Sequence, residues 1–157
     1  MRASILTLSD SVSSGKSEDR SGPAVAARCR ELGWTVSSTL ILPDDRTAIE
    51  AELKRLADSG EADLILTTGG TGLSPRDVTP EATQASVERL IPGFAEKMRA
   101  EGLKKTNRAI LSRGVAGIRG TTVIVNLPGS PAGAVDSLNV IADLLPHAID
   151  IVHGARH

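Results

Sequence analysis

Three glycines, several hydroxyls and one carboxylate are concentrated in TTGGTGLSPRDVTP, residues 67–80. Gly69, Gly70 and Gly72 permit positive φ and let the backbone approach a ligand closely. They interleave with Thr68 and Thr71. Successive N–H groups in such a turn can converge on an anion, with the hydroxyls as further donors. The segment is not a Walker A loop, because no Gly-Lys-Ser/Thr follows. Gly70-Thr71-Gly72 also supplies only the first half of the GxGxxG dinucleotide fingerprint. Asp77 stands just before Thr79-Pro80, which reads as a cap followed by proline at the first helical position. It admits two readings. One is an Asx-type turn that supports the cap; the other is a carboxylate beside a phosphate cradle, able to hold Mg²⁺ against phosphate oxygens.

Three further polar motifs have similar chemistry. Pro43-Asp44-Asp45 is a normal cap sequence, but Asp45 suffices as the cap and leaves Asp44 free to face a crevice. Pro128-Gly129-Ser130-Pro131 repeats the glycine logic and places Ser130 at a helix start, a second anion site. Ser9-Asp10 adds a hydroxyl and a carboxylate near the N-terminus. Arg113 is either a contact for a ligand such as a phosphate or an ordinary surface arginine. His147, His153 and His157 cluster at the C-terminus without the spacing of a helical metal pair, and they read as non-catalytic.

The elements that must position these motifs alternate between short apolar runs and helical periods. Residues 4–8 read as a buried strand, residues 24–32 as a helix with Ser21 as candidate cap and Gly33 as its stop, and residues 35–42 as a second strand. Asp45 caps the next helix, whose apolar face is Ile49, Leu53, Leu56 and Ala57, and Gly60 stops it. Residues 63–67 form a third strand with the continuous apolar run of a strand buried on both faces. The loop that follows is long for such a domain, where connections usually run to about 4–6 residues, and long ordered loops tend to be functional. A helix then extends to about Leu90, Pro92-Gly93 breaks it, and another runs to about Leu103. Residues 104–120 are the least patterned, with a short strand around 109–111. A strand at 121–127 leads to a C-terminal helix starting at Ser130-Pro131 and interrupted near Pro146.

Such alternation implies an α/β domain, a mostly parallel sheet flanked by helices on both faces. Ligands of an open parallel sheet bind beyond the carboxyl ends of its strands. All four motifs directly follow an expected strand, so all four should share one rim.

Composition bounds the remaining choices. A chain of 157 residues, 40% hydrophobic and 24% charged, is the size of a single domain with a proper core. Trp34 and Phe94 are the only aromatics, so a stacking platform for single-stranded nucleic acid is not expected. A formal net charge of -1 supplies no field for nucleic acid or anionic lipid. Cys29 is the only cysteine, which excludes an internal disulfide and a cysteine-based zinc cluster. No apolar run has the length of a signal peptide or membrane span, so a cytoplasmic protein is expected.

Taken in order, the motifs resemble a known family. LTLSDSVSSG, LPDD, TTGGTG with RDVTPEAT, IPGFAEKMR, AILSRGVAGIRG and VNLPGSP resemble the molybdenum-cofactor biosynthesis proteins of the MogA/MoaB type, which include the G domain of gephyrin. The resemblance covers nearly the whole chain and implies a three-layer fold, a homotrimer and a molybdopterin adenylyltransferase. Such an enzyme uses ATP and Mg²⁺ to adenylylate the terminal phosphate of molybdopterin, releasing pyrophosphate before a partner inserts molybdate. Asp44 and Asp77 match the family's important carboxylates, the glycine loop would contact the nucleotide phosphates, Ser112 would help bind the pterin, and the PGSP loop would line the site. Many members have Ser-Leu where this chain has Gly102-Leu103, which would remove one pterin donor. Two other implied readings are a MoaB-type pterin-binding protein without catalysis and a CinA-like enzyme acting on nucleotide-derived substrates. The latter is disfavoured by the absence of a further domain after His157.

Overall fold

The computed structural model describes residues 1–156. Four strands, β1 (Arg2–Leu8), β2 (Thr35–Leu42), β3 (Leu64–Thr68) and a later one at Thr122–Leu127, run parallel in one sheet. Two short strands extend it, β5 (Ala116–Arg119) antiparallel to the strand at Thr122–Leu127, which is β6, and β4 (Arg89–Leu90) antiparallel to β5. The spatial order is β2-β1-β3-β6-β5-β4. The α/β class and the mostly parallel sheet are as the alternation implied.

Helices cover both faces because β1, β3 and β6 bury both sides of the sheet. Along these strands Ala3, Ile5, Leu64, Leu66, Val123 and Val125 join one core. The intervening Leu6, Leu8, Ile65 and Ile124 join the other, following the period of two. The first core is closed by α2 (Ser21–Glu31), α5 (Pro92–Gly102), α6 (Pro131–Ile141) and α7 (Leu145–Val152). The second is closed by α3 (Arg46–Ser59) and α4 (Thr79–Ser86). On α3 the residues Ile49, Leu53, Leu56 and Ala57 are the buried ones, as their spacing indicated. Each large side chain there contributes about 1.5–3 kcal/mol by leaving water. Cys29 lies in the first core, where burial pushes its thiol up to about 11, so it is inert at neutral pH.

Four local expectations are corrected. Ser21 is not the cap of α2; it is the first helical residue, and Asp19 Oδ1 accepts the Gly22 N–H at 3.0 Å instead. Thr79 is likewise inside α4, and its hydroxyl donates to the Gly69 carbonyl at 2.9 Å. The helix expected to reach Leu90 stops at Ser86, because Arg89 and Leu90 pair with β5 as an edge strand. Residues 109–111 belong to a 3-10 turn, Asn107–Leu111, and the strand of that region is Ala116–Arg119. The polar loop after β1 also holds one short helix, α1 (Asp10–Ser13).

Strand register explains why the motifs meet. Leu8 pairs with Leu42, Thr7 with Thr68, and Thr68 with Leu127, so four strands end at one level. Ser9-Asp10, Asp44, Gly69-Gly70 and Pro128-Gly129 follow those ends on a common rim. The opposite end is tied structurally. Asp63 accepts the Arg2 backbone N–H at 2.7 Å and its guanidinium at 2.9 Å, and these bonds hold the Asp63 carboxyl below its ordinary range.

Candidate active site

Asp44 and Asp10 are locked to each other through their backbones. Asp10 N–H donates to Asp44 Oδ2 at 3.0 Å, and Asp44 N–H donates to Asp10 Oδ1 at 3.0 Å. Asp45 Oδ1 caps α3 through Ala48 N–H at 3.0 Å, which leaves the Asp44 carboxylate facing the rim. Its Oδ1 is buried and makes no hydrogen bond among the described residues. Burial raises the Asp44 carboxyl above its ordinary value, with the charges of Asp10 and Asp77 adding to the effect; the Asp10 N–H opposes it. Asp10 shifts the other way, chiefly because Arg76 donates to it.

The glycine loop wraps this carboxylate. Gly69 and Gly70 have φ of 98° and 67°, which side chains rarely adopt. A Cβ at Gly70 would meet Thr79 Oγ1 at 2.2 Å and Asp44 Oδ1 at 3.0 Å. Gly129 approaches from the neighbouring strand, its Cβ position only 3.3 Å from Gly69 Cα. The amides of Gly70, Thr71, Gly72, Gly129 and Ser130 donate no hydrogen bond within the described residues, so they are free for an anion. Ser130 Oγ caps α6 through Gly133 N–H at 3.1 Å.

Asp77 sits in a turn, accepting Ser74 N–H on Oδ2 at 3.0 Å, while Oδ1 makes no hydrogen bond within the described residues. The turn reading is thus met by Oδ2, while Oδ1 is left without a partner on a residue that lines the site. Arg113 holds the turn from behind. Its Nε donates to the Gly72 carbonyl at 2.7 Å, Nη2 to the Asp77 carbonyl at 2.8 Å, and Nη1 pairs with Glu81. Its backbone N–H donates to Thr71 at 2.8 Å. Arg113 thus lines neither cavity described below and is not an ordinary surface arginine either. It fixes the loop that carries Asp77.

Two cavities open on the rim and share Gly70, Asp77 and Gly129 as their common wall. The larger, about 480 Å³, has apolar sides from Met98, Ala109 and Leu111, with Ser112, Asn126 and Ser130 among its polar groups, and reaches Thr71, Gly72 and Pro128. The smaller, about 400 Å³, is lined by Ser9, Asp44, Thr68, Gly69, Ser21 and Pro131 among others. Asp10 lines neither, its carboxylate being engaged by Asp44 N–H and the Arg76 guanidinium. His147 and His153 lie on or just after α7 and line neither cavity; His157 is outside the described residues.

Several residues of the site carried no role in the sequence. Arg99 donates to the Ser112 and Gly114 carbonyls at 3.4 and 3.1 Å, seating the Ser112 segment. Asn126 is buried and fully satisfied: its amide donates to Thr67 and Thr83 at 3.0 and 2.9 Å and its oxygen accepts Val115 N–H at 3.1 Å. Their presence inside MR and VNLPGSP was the only signal. Gly102 has a steric reason to be glycine, since a Cβ there would stand 2.7 Å from Ala109 Cβ. Gly102→Ser is therefore expected to destabilise by about 1–3 kcal/mol, and adding Ala109→Gly should recover most of that. Urea unfolding reads both. An undiminished midpoint in the single variant would show that the turn yields freely.

Comparison with known proteins bears on the family and the fold. The family model described as a probable molybdopterin binding domain matches residues 4–147. The molybdopterin adenylyltransferase of Helicobacter pylori J99 is 40% identical over 152 residues, covering 96% of this chain and 86% of that protein. The molybdenum cofactor synthesis protein cinnamon of Drosophila melanogaster is also 40% identical over 152 residues. These cover 94% of this chain, which spans only 25% of that longer protein. Among solved structures, the molybdopterin biosynthesis enzyme MoaB of Thermus thermophilus superposes with a TM-score of 0.92 at 47% identity, covering 98% of this chain and 97% of that one.

Proposed function

This chain belongs to the family of probable molybdopterin binding domains, and from that premise we propose that it is a molybdopterin adenylyltransferase, moving AMP from ATP to the terminal phosphate of molybdopterin. The observation that carries the reading is the common wall. Two cavities meet at Gly70, Asp77 and Gly129, where unpaired amides and a carboxylate stand together. A reaction joining two substrates through their phosphates needs that arrangement. The larger cavity, with apolar sides and Ser112, suits the flat pterin, and the smaller suits the nucleotide.

The pterin phosphate oxygen attacks the α-phosphorus of ATP in line. As that P–O bond forms, the bond from the α-phosphorus to the bridging oxygen breaks and pyrophosphate leaves with its electron pair. The attacking phosphate is already anionic, so no general base is required, and positioning with charge stabilisation supplies most of the catalysis. The free amides of the glycine loop and of Gly129-Ser130 bind phosphate oxygens. The Thr68 hydroxyl is not a ligand donor as expected, since it is buried and donates to Ser21 Oγ at 2.7 Å; Thr71 is tied to Arg113 through its carbonyl, and Ser9 borders the nucleotide cavity.

Asp44 and Asp77 fit Mg²⁺. Both offer hard oxygen donors, and Asp44 Oδ1 is a buried acceptor without a partner. No cluster of three metal-binding side chains occurs among the described residues. Mg²⁺ is commonly held by one or two carboxylates and completed by substrate phosphates and water. When bound, Mg²⁺ supplies charge neutralisation to the triphosphate. The family resemblance further supports a homotrimer working in the cytoplasm and passing adenylylated pterin to a partner for molybdate insertion. No helix of the described residues is long and apolar enough to cross a membrane.

The direct test is incubation with molybdopterin, ATP and MgCl₂, followed by chromatography for adenylylated pterin and an assay for pyrophosphate. Formation of both is the expected result. Pterin bound without product would instead identify a non-catalytic binding protein, and absence of pterin binding would point to another activity on this fold.

A further inference from the structure

Arg76 lies in the stretch between the glycine cradle and Asp77, where the adenylyltransferase reading gives it no task. Its guanidinium forms a bidentate pair with Asp10, Nε to Oδ2 at 2.9 Å and Nη2 to Oδ1 at 3.0 Å. The pair stands at the rim with the Arg76 side chain 65% exposed and that of Asp10 44% exposed. Around it are the carboxylates of Asp44 and Asp45, whose charges also act on Arg76. Asp77 is its neighbour in sequence.

This rim presents an electrostatic problem. A triphosphate entering the smaller cavity meets Asp44 and Asp77, and the loop has no lysine of the kind a Walker A sequence provides. Arg20 lines that cavity, whereas Arg76, held on Asp10, lines neither; Arg20 is 77% exposed and only loosely paired with Glu18 at 3.8 Å. Arg76 is the cation carried on the cradle loop itself. Bidentate guanidinium geometry matches phosphate as well as carboxylate. An exposed ion pair of this type is weak and is readily exchanged. Asp10 would not be left bare by its departure, since Oδ1 still accepts Asp44 N–H at 3.0 Å.

We propose that Arg76 is a further catalytic residue: it rests on Asp10 before nucleotide binds and moves to the β- and γ-phosphates of ATP, where it binds the departing pyrophosphate. The proposal rests on the adenylyltransferase reading. As the pterin phosphate oxygen bonds to the α-phosphorus and the α–β bridging bond breaks, the electron pair passes to pyrophosphate. Arg76 meets that charge and no proton is transferred. When pyrophosphate leaves, the guanidinium returns to Asp10, which keeps the unliganded rim from carrying an unpaired carboxylate and an unpaired cation together.

The test is calorimetric titration of the intact protein with ATP, AMP and inorganic pyrophosphate in MgCl₂. Arg76→Ala should weaken pyrophosphate and ATP by about 10-fold or more, the loss expected for charge-assisted hydrogen bonds, and leave AMP nearly unchanged. Arg76→Lys should recover part of the loss. Asp10→Asn keeps an acceptor for Asp44 N–H but no longer retains Arg76, so it should tighten pyrophosphate binding, and by clearly less when Arg76→Ala is also present, a coupling that the mere loss of a negative charge would not produce. Equal weakening of AMP and pyrophosphate in Arg76→Ala, or weaker pyrophosphate binding in Asp10→Asn, would overturn the proposal. Failure of the unaltered protein to make adenylylated pterin would instead overturn the enzyme reading on which it rests.

Discussion

Asp77→Asn is expected to lower the rate of pterin adenylylation by about 10²–10³-fold while the protein remains folded and still binds pterin. The amide oxygen of Asn can replace Oδ2 as acceptor for Ser74 N–H, and Arg113 holds the residue by its backbone carbonyl, so the turn survives. What disappears is the negative charge at the wall shared by both cavities. Asp44→Asn should lower the rate comparably. The double variant should be little worse than either single one, because groups that serve one ion act as a unit. Normal turnover in Asp77→Asn would remove that residue from the mechanism.

Asp44 adds a pH signature. Its carboxyl titrates above the ordinary carboxylate value because it is buried and flanked by Asp10 and Asp77. The protonated form, which cannot hold a cation, therefore persists to higher pH than for an exposed aspartate. Apparent Mg²⁺ affinity should rise with pH through that range, and kcat/KM at limiting Mg²⁺ should share this acidic limb. In Asp44→Asn the limb should vanish. Stability runs in the opposite sense. A raised carboxyl favours the folded state when protonated and loses that contribution as pH rises through the folded value. Asp44→Asn should thus be neutral or stabilising at pH 7. A site that keeps an unpartnered buried oxygen accepts that loss in exchange for ligand binding.

How much of this could be read from the residues depends on how local each determinant is. The strand ends and the helical face of α3 were legible, because periods of two and 3.6 are local and the motifs directly follow the strands. The rim followed from them, and so did the release of Asp44 by the Asp45 cap. Arg89 and Leu90 were misread because a helical pattern there lost to pairing with β5, a contact made from the distant residues 116–119. Thr79 was expected to cap α4 and instead reaches back to Gly69, since the loop folds over its own start. Arg113 could not be assigned by spacing at all. Its partners Gly72 and Asp77 are 41 and 36 residues away, and only tertiary structure brings them together. The departure at Gly102 was legible as a difference, but its cause is Ala109 on another element.

Gly69→Ala should be the most damaging single-methyl substitution in the loop, and a comparison with Gly60→Ala isolates the reason. Both glycines have positive φ, 98° at Gly69 and 73° at Gly60, so both substitutions incur the left-handed penalty of roughly 1–2 kcal/mol. They differ in space. A Cβ at Gly60 meets nothing within 4 Å, whereas one at Gly69 would lie 2.3 Å from the Leu8 carbonyl oxygen. That oxygen belongs to the backbone at the end of β1, so no rotamer change relieves the clash. Gly69 is also hydrogen-bonded to the Leu127 carbonyl at 3.2 Å and lies against Gly129, so displacing it disturbs the ends of β1 and β6 together. Gly69→Ala should therefore cost about 3 kcal/mol or more, lowering the Tm by roughly 10 °C, against about 3 °C for Gly60→Ala. It should also abolish adenylylation, because the same displacement moves the free amides away from the phosphates. Gly60→Ala, at the far end of α3, should leave turnover intact. Equal melting shifts for the two variants would mean that Gly69 is needed for its dihedral angle alone, and that the close approach of the loop to β1 is not what holds the cradle in place.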